Sequence, residues 1–272
     1  MPALAEPLRA IALLLIAPLA AAVPQAGLSA EAAAPDHPPP LAAAVPQADP
    51  FAGAQAGFDM LAKQYNASYT LGYSGPMPGL PGIQTRGWAA GVNDRIAGTP
   101  MSTDTLVPSG SVTKAWTATA VLQMVDQRKL TLPTLAHTLA DPVLTRLNGT
   151  TMAKLFGSDV VNAITVEHLL SMTSGLQDYN DALLRTLTVS VPGLDLDPFV
   201  ILDTVNKTLL CAPGTCAYYS STNYVLLGFI MVQLQGLVAW ESWDQKTVIP
   251  PDRRADYTQT LFPKLGPCRD YP

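Results

Sequence analysis

The rhythm of apolar and polar positions changes twice along the chain. An apolar run from Ala10 to Val23 comes first, broken by Pro18 and ending in alanines. Residues Tyr69–Tyr73 and Arg86–Val92, rich in aromatic and branched side chains, predict two strands, with a Gly- and Pro-dense loop from Gly75 to Gly82 between them. From Ser111 the period becomes helical, with Val112, Ala115, Trp116, Thr119, Leu122 and Val125 forming an apolar stripe that runs to Lys129. Thr165 is placed to cap a second helix, with His168 in its first turn. Asp197-Pro198 starts a third, because proline suits the first helical turn. Ser221–Gln235 reads as a fourth, apolar on almost every side, yet too short for a bilayer and therefore a buried helix. Strands first and helices after predict an α+β domain rather than alternating βαβ units.

The first apolar run is also shorter than the roughly 20 residues a membrane span needs. With Arg9 before it and small residues after it, the segment 1–26 reads as a secretory signal. Leu19–Ala26 recurs as Leu41–Ala48 around Pro38-Pro39-Pro40, and Ala/Pro text of this kind packs no core, so 27–50 reads as a disordered spacer. A partial folded domain, 51–272, follows. Export agrees with three glycosylation sequons, at Asn66, Asn148 and Asn206. It agrees also with Cys211 and Cys216, which bracket a Pro-Gly turn that brings two sulfurs within disulfide range. Zinc is a poor alternative, since only Cys268 and three scattered histidines could complete a site, and Cys268 is left without a partner.

Composition mainly excludes. The 272 residues are 48% hydrophobic and only 14% charged, which rules out wholesale disorder and a charged coiled coil. The net charge is −5, and Glu6, Glu31, Asp36 and Asp49 against Arg9 place most of it before residue 51. The nearly neutral body gives no electrostatic footprint for nucleic acid or an anionic membrane. Oligomeric state stays open.

Ser111-Val-Thr-Lys114 carries the first chemical signal. Ser109-Gly110 is a turn, so Ser111 falls in the first turn of the long helix, and residues three apart share a face there. That spacing brings an ammonium to a hydroxyl, and the free helix N-terminus offers N–H groups to a developing oxyanion. The same spacing also fits an N-cap serine beside a solvated lysine. The surrounding text decides more. Gly98 to Ala118, Leu169-Leu-Ser-Met-Thr-Ser-Gly-Leu176 and Pro213 to Gly228 resemble, in order, three blocks of the serine β-lactamase-like family, which includes class C β-lactamases, D,D-peptidases and related esterases.

The resemblance implies a β-lactamase/transpeptidase-like α+β fold, an antiparallel sheet beside a helical domain, covering roughly residues 55–270. It implies Ser111 as acyl-forming nucleophile, Lys114 as its proton partner, Tyr219 as the motif tyrosine, and no metal or organic cofactor. Tyr218 is adjacent, so an offset of one residue would give it that place. A phenol ionises near 10, so Tyr219 needs a neighbouring cation to act as phenolate base, and Lys114 is the candidate.

Three departures from the family pattern matter. Ser221 stands where the family has asparagine to bind the substrate amide, which favours esters. Asn223, two positions on, would face another way. Met172 replaces the usual histidine, and His137 and His168 read as ordinary helix residues. The third motif, a Lys/His-Thr-Gly triplet, is absent, since neither Lys207-Thr nor Lys246-Thr continues with glycine. The later sheet strands and the C-terminal helix are accordingly expected to be missing. The first two strands would then keep an unpaired edge and an uncovered apolar face. The expectation is a secreted serine acyl hydrolase, weak in this form. The rivals are a non-catalytic binding or scaffold protein that retains the fold, and a truncated gene product.

Overall fold

The structure is a computed structural model that describes residues 51–77, 80–191 and 196–264. The stretches expected to be signal (1–26) and spacer (27–50), and Cys268, lie outside the described residues. The chain opens with helix α1 (Ala54–Tyr65), followed by an antiparallel pair, β1 (Tyr69–Pro76) and β2 (Ile83–Ala90), in register from Tyr69 opposite Ala90 to Pro76 opposite Ile83. The strands are longer on the loop side than the aromatic and branched residues alone predict. Ladder bonds between Ser74–Pro76 and Ile83–Thr85 continue into the Gly/Pro segment.

The second strand stops at Ala90, short of the expected Val92, because Gly91 takes φ +94° with its Cα side against the Ala67 carbonyl, 2.6 Å from where a Cβ would sit. Only glycine adopts that conformation at little cost. The chain then re-pairs as the short β3 (Val92–Asp94) and β4 (Thr99–Pro100). The apolar face of the hairpin is not left bare, as the sequence suggested. Helix α1 packs on β2, and the Trp88 ring meets Phe51 and Phe58 at centroid distances of 5.0 and 6.5 Å. The opposite face is mostly small and polar, with Thr70, Gly72, Ser74, Thr85 and Gly87, but Ile83 stands exposed at its loop end.

The helical part contains α2 (Thr113–Asp126), α3 (Ala136–Asn148), α4 (Met152–Phe156), α5 (Val166–Leu170), α6 (Asp181–Ser190), α7 (Pro198–Asp203) and α8 (Thr222–Leu234). Three 3-10 turns follow, Trp240–Ser242, Gln245–Val248 and Pro251–Tyr257. Caps set the boundaries. Thr165 Oγ1 accepts from His168 N while His168 Nδ1 accepts from Thr165 N, a reciprocal box in which histidine takes the place usual for glutamate. Asp197 accepts from Phe199 N ahead of Pro198. Helix α8 is the hub, packed against α2, α3 and α5. Val121, Leu144, Leu169, Leu226 and Ile230 are fully buried around it, each contributing about 1.5–3 kcal/mol relative to an exposed side chain. Among the described residues no helix is long and apolar enough to cross a membrane.

Helix α2 is rotated from the orientation its predicted stripe implies. Its buried residues are Thr117, Ala120, Val121 and Met124, while Val112 and Leu122 are exposed. The helix is apolar on two sides. One packs on α8; the other carries Trp116, whose ring meets Tyr257 at 5.8 Å and Phe262 at 5.2 Å, both edge-on.

Candidate active site

Ser111 lies in a 3-10 turn, Gly110–Val112, that leads into α2, rather than in the α-helix itself. Gly110 at φ +51° makes the entry, and Thr113 Oγ1 donates to its carbonyl at 2.8 Å. The serine is exposed, and Lys114, in the first turn of α2, donates from Nζ to Ser111 Oγ at 3.0 Å.

Tyr219 arrives from a segment 108 residues away and sets its Oη 2.6 Å from Ser111 Oγ. An ammonium only donates, so the serine oxygen accepts from Lys114, while in the contact with the phenol either hydroxyl can supply the hydrogen. The Tyr219 phenol is held below its usual value, first by the hydrogen bond from Lys114 and next by that with Ser111. Burial pushes the other way, and the Ser221 hydroxyl and the Lys114 charge add smaller downward pulls. Tyr218 does not share this place: its amide donates to the Met172 carbonyl at 3.1 Å and its side chain is exposed.

The tyrosine segment is strapped to the end of α5. Leu210 N donates to Gly175 O at 2.9 Å, Gly214 N to Thr173 O at 2.8 Å, and Ser221 N to Asp178 Oδ1 at 2.8 Å. The Cys211–Cys216 disulfide, Cα atoms 6.1 Å apart, closes the loop that carries the second strap, at Gly214. Gly175 and Gly214 permit the close approach. A Cβ on Gly175 would overlap the Cys211 carbonyl oxygen, and one on Gly214 would meet His168 Nε2 at 2.9 Å. Met172 stands at φ +56°, and its backbone rather than its side chain receives the strap.

Ser221 sits at the N-cap of α8 beside Tyr219. Asn223 is fully buried; its Oδ1 accepts from Ser174 Oγ at 2.5 Å and its Nδ2 donates to Ser220 O at 2.9 Å. It therefore braces the turn from inside. His137 Nδ1 lies 3.1 Å from Asn162 O, and His168 is engaged in its cap, so neither approaches Ser111 through these contacts. Asn66, Asn148 and Asn206 are all exposed, and the Asn206 side chain accepts from Thr208 N at 3.0 Å. Among the described residues no cluster of three or more His, Cys, Asp or Glu could hold a metal.

Sequence reasoning missed Ser174, Gly175, Asp178, Gly214 and Tyr224 as parts of this site. Gly175 and Gly214 stood inside blocks already singled out, and their positive φ is the signal behind them. The larger grooves lie elsewhere. One of about 630 Å³ is bounded by Lys207 and Cys211, and one of about 470 Å³ by Trp116, Ile249 and Arg253.

Residues 58–262 match the family model described as Beta-lactamase. Penicillin-binding protein 4 of Amycolatopsis lactamdurans is 34% identical over 165 residues, which is 57% of this chain and 36% of that protein. Among solved structures, the D-amino acid amidase of Ochrobactrum anthropi SV3 complexed with L-phenylalanine amide is similar with a TM-score of 0.52 at 21% identity, covering 77% of this chain and 53% of its own. The octameric penicillin-binding protein homologue from Pyrococcus abyssi gives 0.51 at 23% identity, over 72% of this chain and 42% of its own. The chain thus spans between about a third and about half of the length of these relatives.

Proposed function

The chain belongs to the beta-lactamase family and has its α+β, transpeptidase-like fold, and from this we propose that it is a serine acyl hydrolase working through an acyl-enzyme at Ser111. The observation that carries the proposal is the bracketing of Ser111 Oγ by Lys114 at 3.0 Å and Tyr219 at 2.6 Å. A serine hydroxyl is a weak nucleophile until a positioned base takes its proton. Tyr219, as phenolate, accepts that proton while Oγ bonds to the carbonyl carbon of the substrate. Lys114 keeps its charge beside the phenol throughout. Collapse of the tetrahedral adduct expels the leaving group, which takes the proton back from Tyr219. Water, deprotonated by the same phenolate, then releases the acid and restores Ser111.

Substrates on this reading are small esters or amides, with Ser221 favouring esters. A lone hydroxyl is shorter than a carboxamide and does not both donate and accept in one fixed plane. The signal-like start, the disulfide and the exposed sequons support a secreted glycoprotein. The test is covalent labelling of the full chain with a fluorophosphonate and with a penicillin-type probe. Labelling of the wild type and not of Ser111→Ala supports the hydrolase. Equal labelling of both, or none with either probe, overturns it in favour of a non-catalytic binding role.

A further inference from the structure

Two phenols share the Lys114 ammonium. Nζ lies 5.0 Å from the Tyr219 ring centroid and 5.8 Å from that of Tyr224, one turn into α8. The two rings are not equivalent. Tyr224 donates its hydroxyl to the Leu170 carbonyl at the end of α5, at 3.1 Å, so its oxygen is turned away from Ser111 and occupied. The ring also lines a small cavity of about 180 Å³, together with Phe229, Trp240 and Trp243. What Tyr224 presents to the cation is thus an aromatic ring fixed at its hydroxyl end.

We propose that Tyr224 is a positioning residue, whose anchored ring holds the Lys114 ammonium over the Ser111–Tyr219 pair by a cation–π contact. Within about 6 Å of a centroid the negative face of a phenol ring attracts a cation, and the attraction draws on the ring and not on the hydroxyl. Without it, a lysine on four rotatable bonds at a half-exposed site divides its time between the pair and water. Burial pushes the Tyr224 phenol above its usual value, and the nearby Tyr219 adds to that push, while Tyr219 is drawn down. Environments that drive two like groups apart assign them different roles. Tyr219 takes the proton and Tyr224 stays neutral. The other titratable groups around them are Lys114 on α2 and Asp178 on the loop after α5, whose Oδ1 is committed to the Ser221 and Tyr179 amides.

The inference rests on the hydrolase reading for its purpose but not for its test. The full chain, labelled at the tyrosine ζ carbon with carbon-13, is titrated by NMR, with the Tyr219 signal assigned from Tyr219→Phe. Tyr224→Phe keeps the ring and is expected to leave the Tyr219 midpoint in place. Pentafluorophenylalanine at position 224 keeps the shape but reverses the ring quadrupole, and is expected to raise the midpoint by about half a pH unit. Fluorophosphonate labelling of Ser111 near neutral pH should then slow roughly threefold. An unmoved midpoint with the fluorinated ring overturns the proposal, as does a full rise already present in Tyr224→Phe, which would locate the effect in the hydroxyl tether. If the midpoint moves as expected while Ser111 reacts with no probe, Tyr224 keeps its role and the hydrolase reading falls.

Discussion

At the scale of single residues the site depends on one ammonium serving two oxygens. Lys114→Met removes the hydrogen bond that draws Tyr219 down most, so the Tyr219 midpoint should return toward the free-phenol value near 10. On the proposed mechanism the ionised phenol is the working form, so labelling of Ser111 should rise with pH through a midpoint below that value in the wild type. It should be lost as pH falls through that midpoint, and Lys114→Met should move the limb upward. Tyr219→Phe removes the base altogether and is expected to slow acylation by roughly 10²–10⁴, with little change in the urea midpoint because the side chain is half-exposed. Ser221→Asn should raise penicillin-probe labelling relative to an ester probe, measured as the ratio of the two rates. Ser111, Lys114 and Tyr219 were all legible in the sequence, since each stands in a short block whose neighbours specify it. Tyr224 was not, because a tyrosine inside an apolar run reads as core until Lys114 is seen beside its ring.

Helices were legible where a cap or a long uninterrupted apolar period marked them. The period found α2, but a helix apolar on two sides offers two stripes, and the one chosen from sequence is the partly exposed one. That distinction is measurable: Leu226→Ala in the buried α8 should cost about 2–5 kcal/mol in urea unfolding, whereas Val112→Ala, 63% exposed, should fall within about 0.5 kcal/mol of wild type. Helix α3 was legible only in the helical reading of His137, because Pro142 inside it breaks the sequence pattern and Leu135 at its start caps nothing. Helix α1 went unread although Ala54, Phe58, Leu61 and Ala62 recur at helical spacing and are half-buried on its packed side. Where a cap was written in the side chains, as at Thr165 and at Asp197-Pro198, the helix began where expected.

Across the whole molecule the site is closed by contacts far apart in sequence, and these were the least legible. No local pattern says that Gly175 must lie under Cys211, or that Ser174 must reach Asn223. Such pairings come from α8 settling against α5, which only the assembled core dictates. The disulfide was the exception, because its two cysteines are close together around a turn. Its loop is short, so the constraint it places on the unfolded chain is modest. Reduction, or Cys211→Ser with Cys216→Ser, should therefore lower the melting temperature only slightly. Ser111 labelling should slow more than that loss accounts for, because the loop anchors the segment that ends at Tyr219. Parallel measurement of the melting curve and the labelling rate separates the two.

Ser111 and the two groups that bracket its hydroxyl come from residues 111 to 219, and the hairpin from 69 to 90 supplies none of them. The bracket around Ser111 is therefore assembled wholly from one stretch of the chain, downstream of the hairpin.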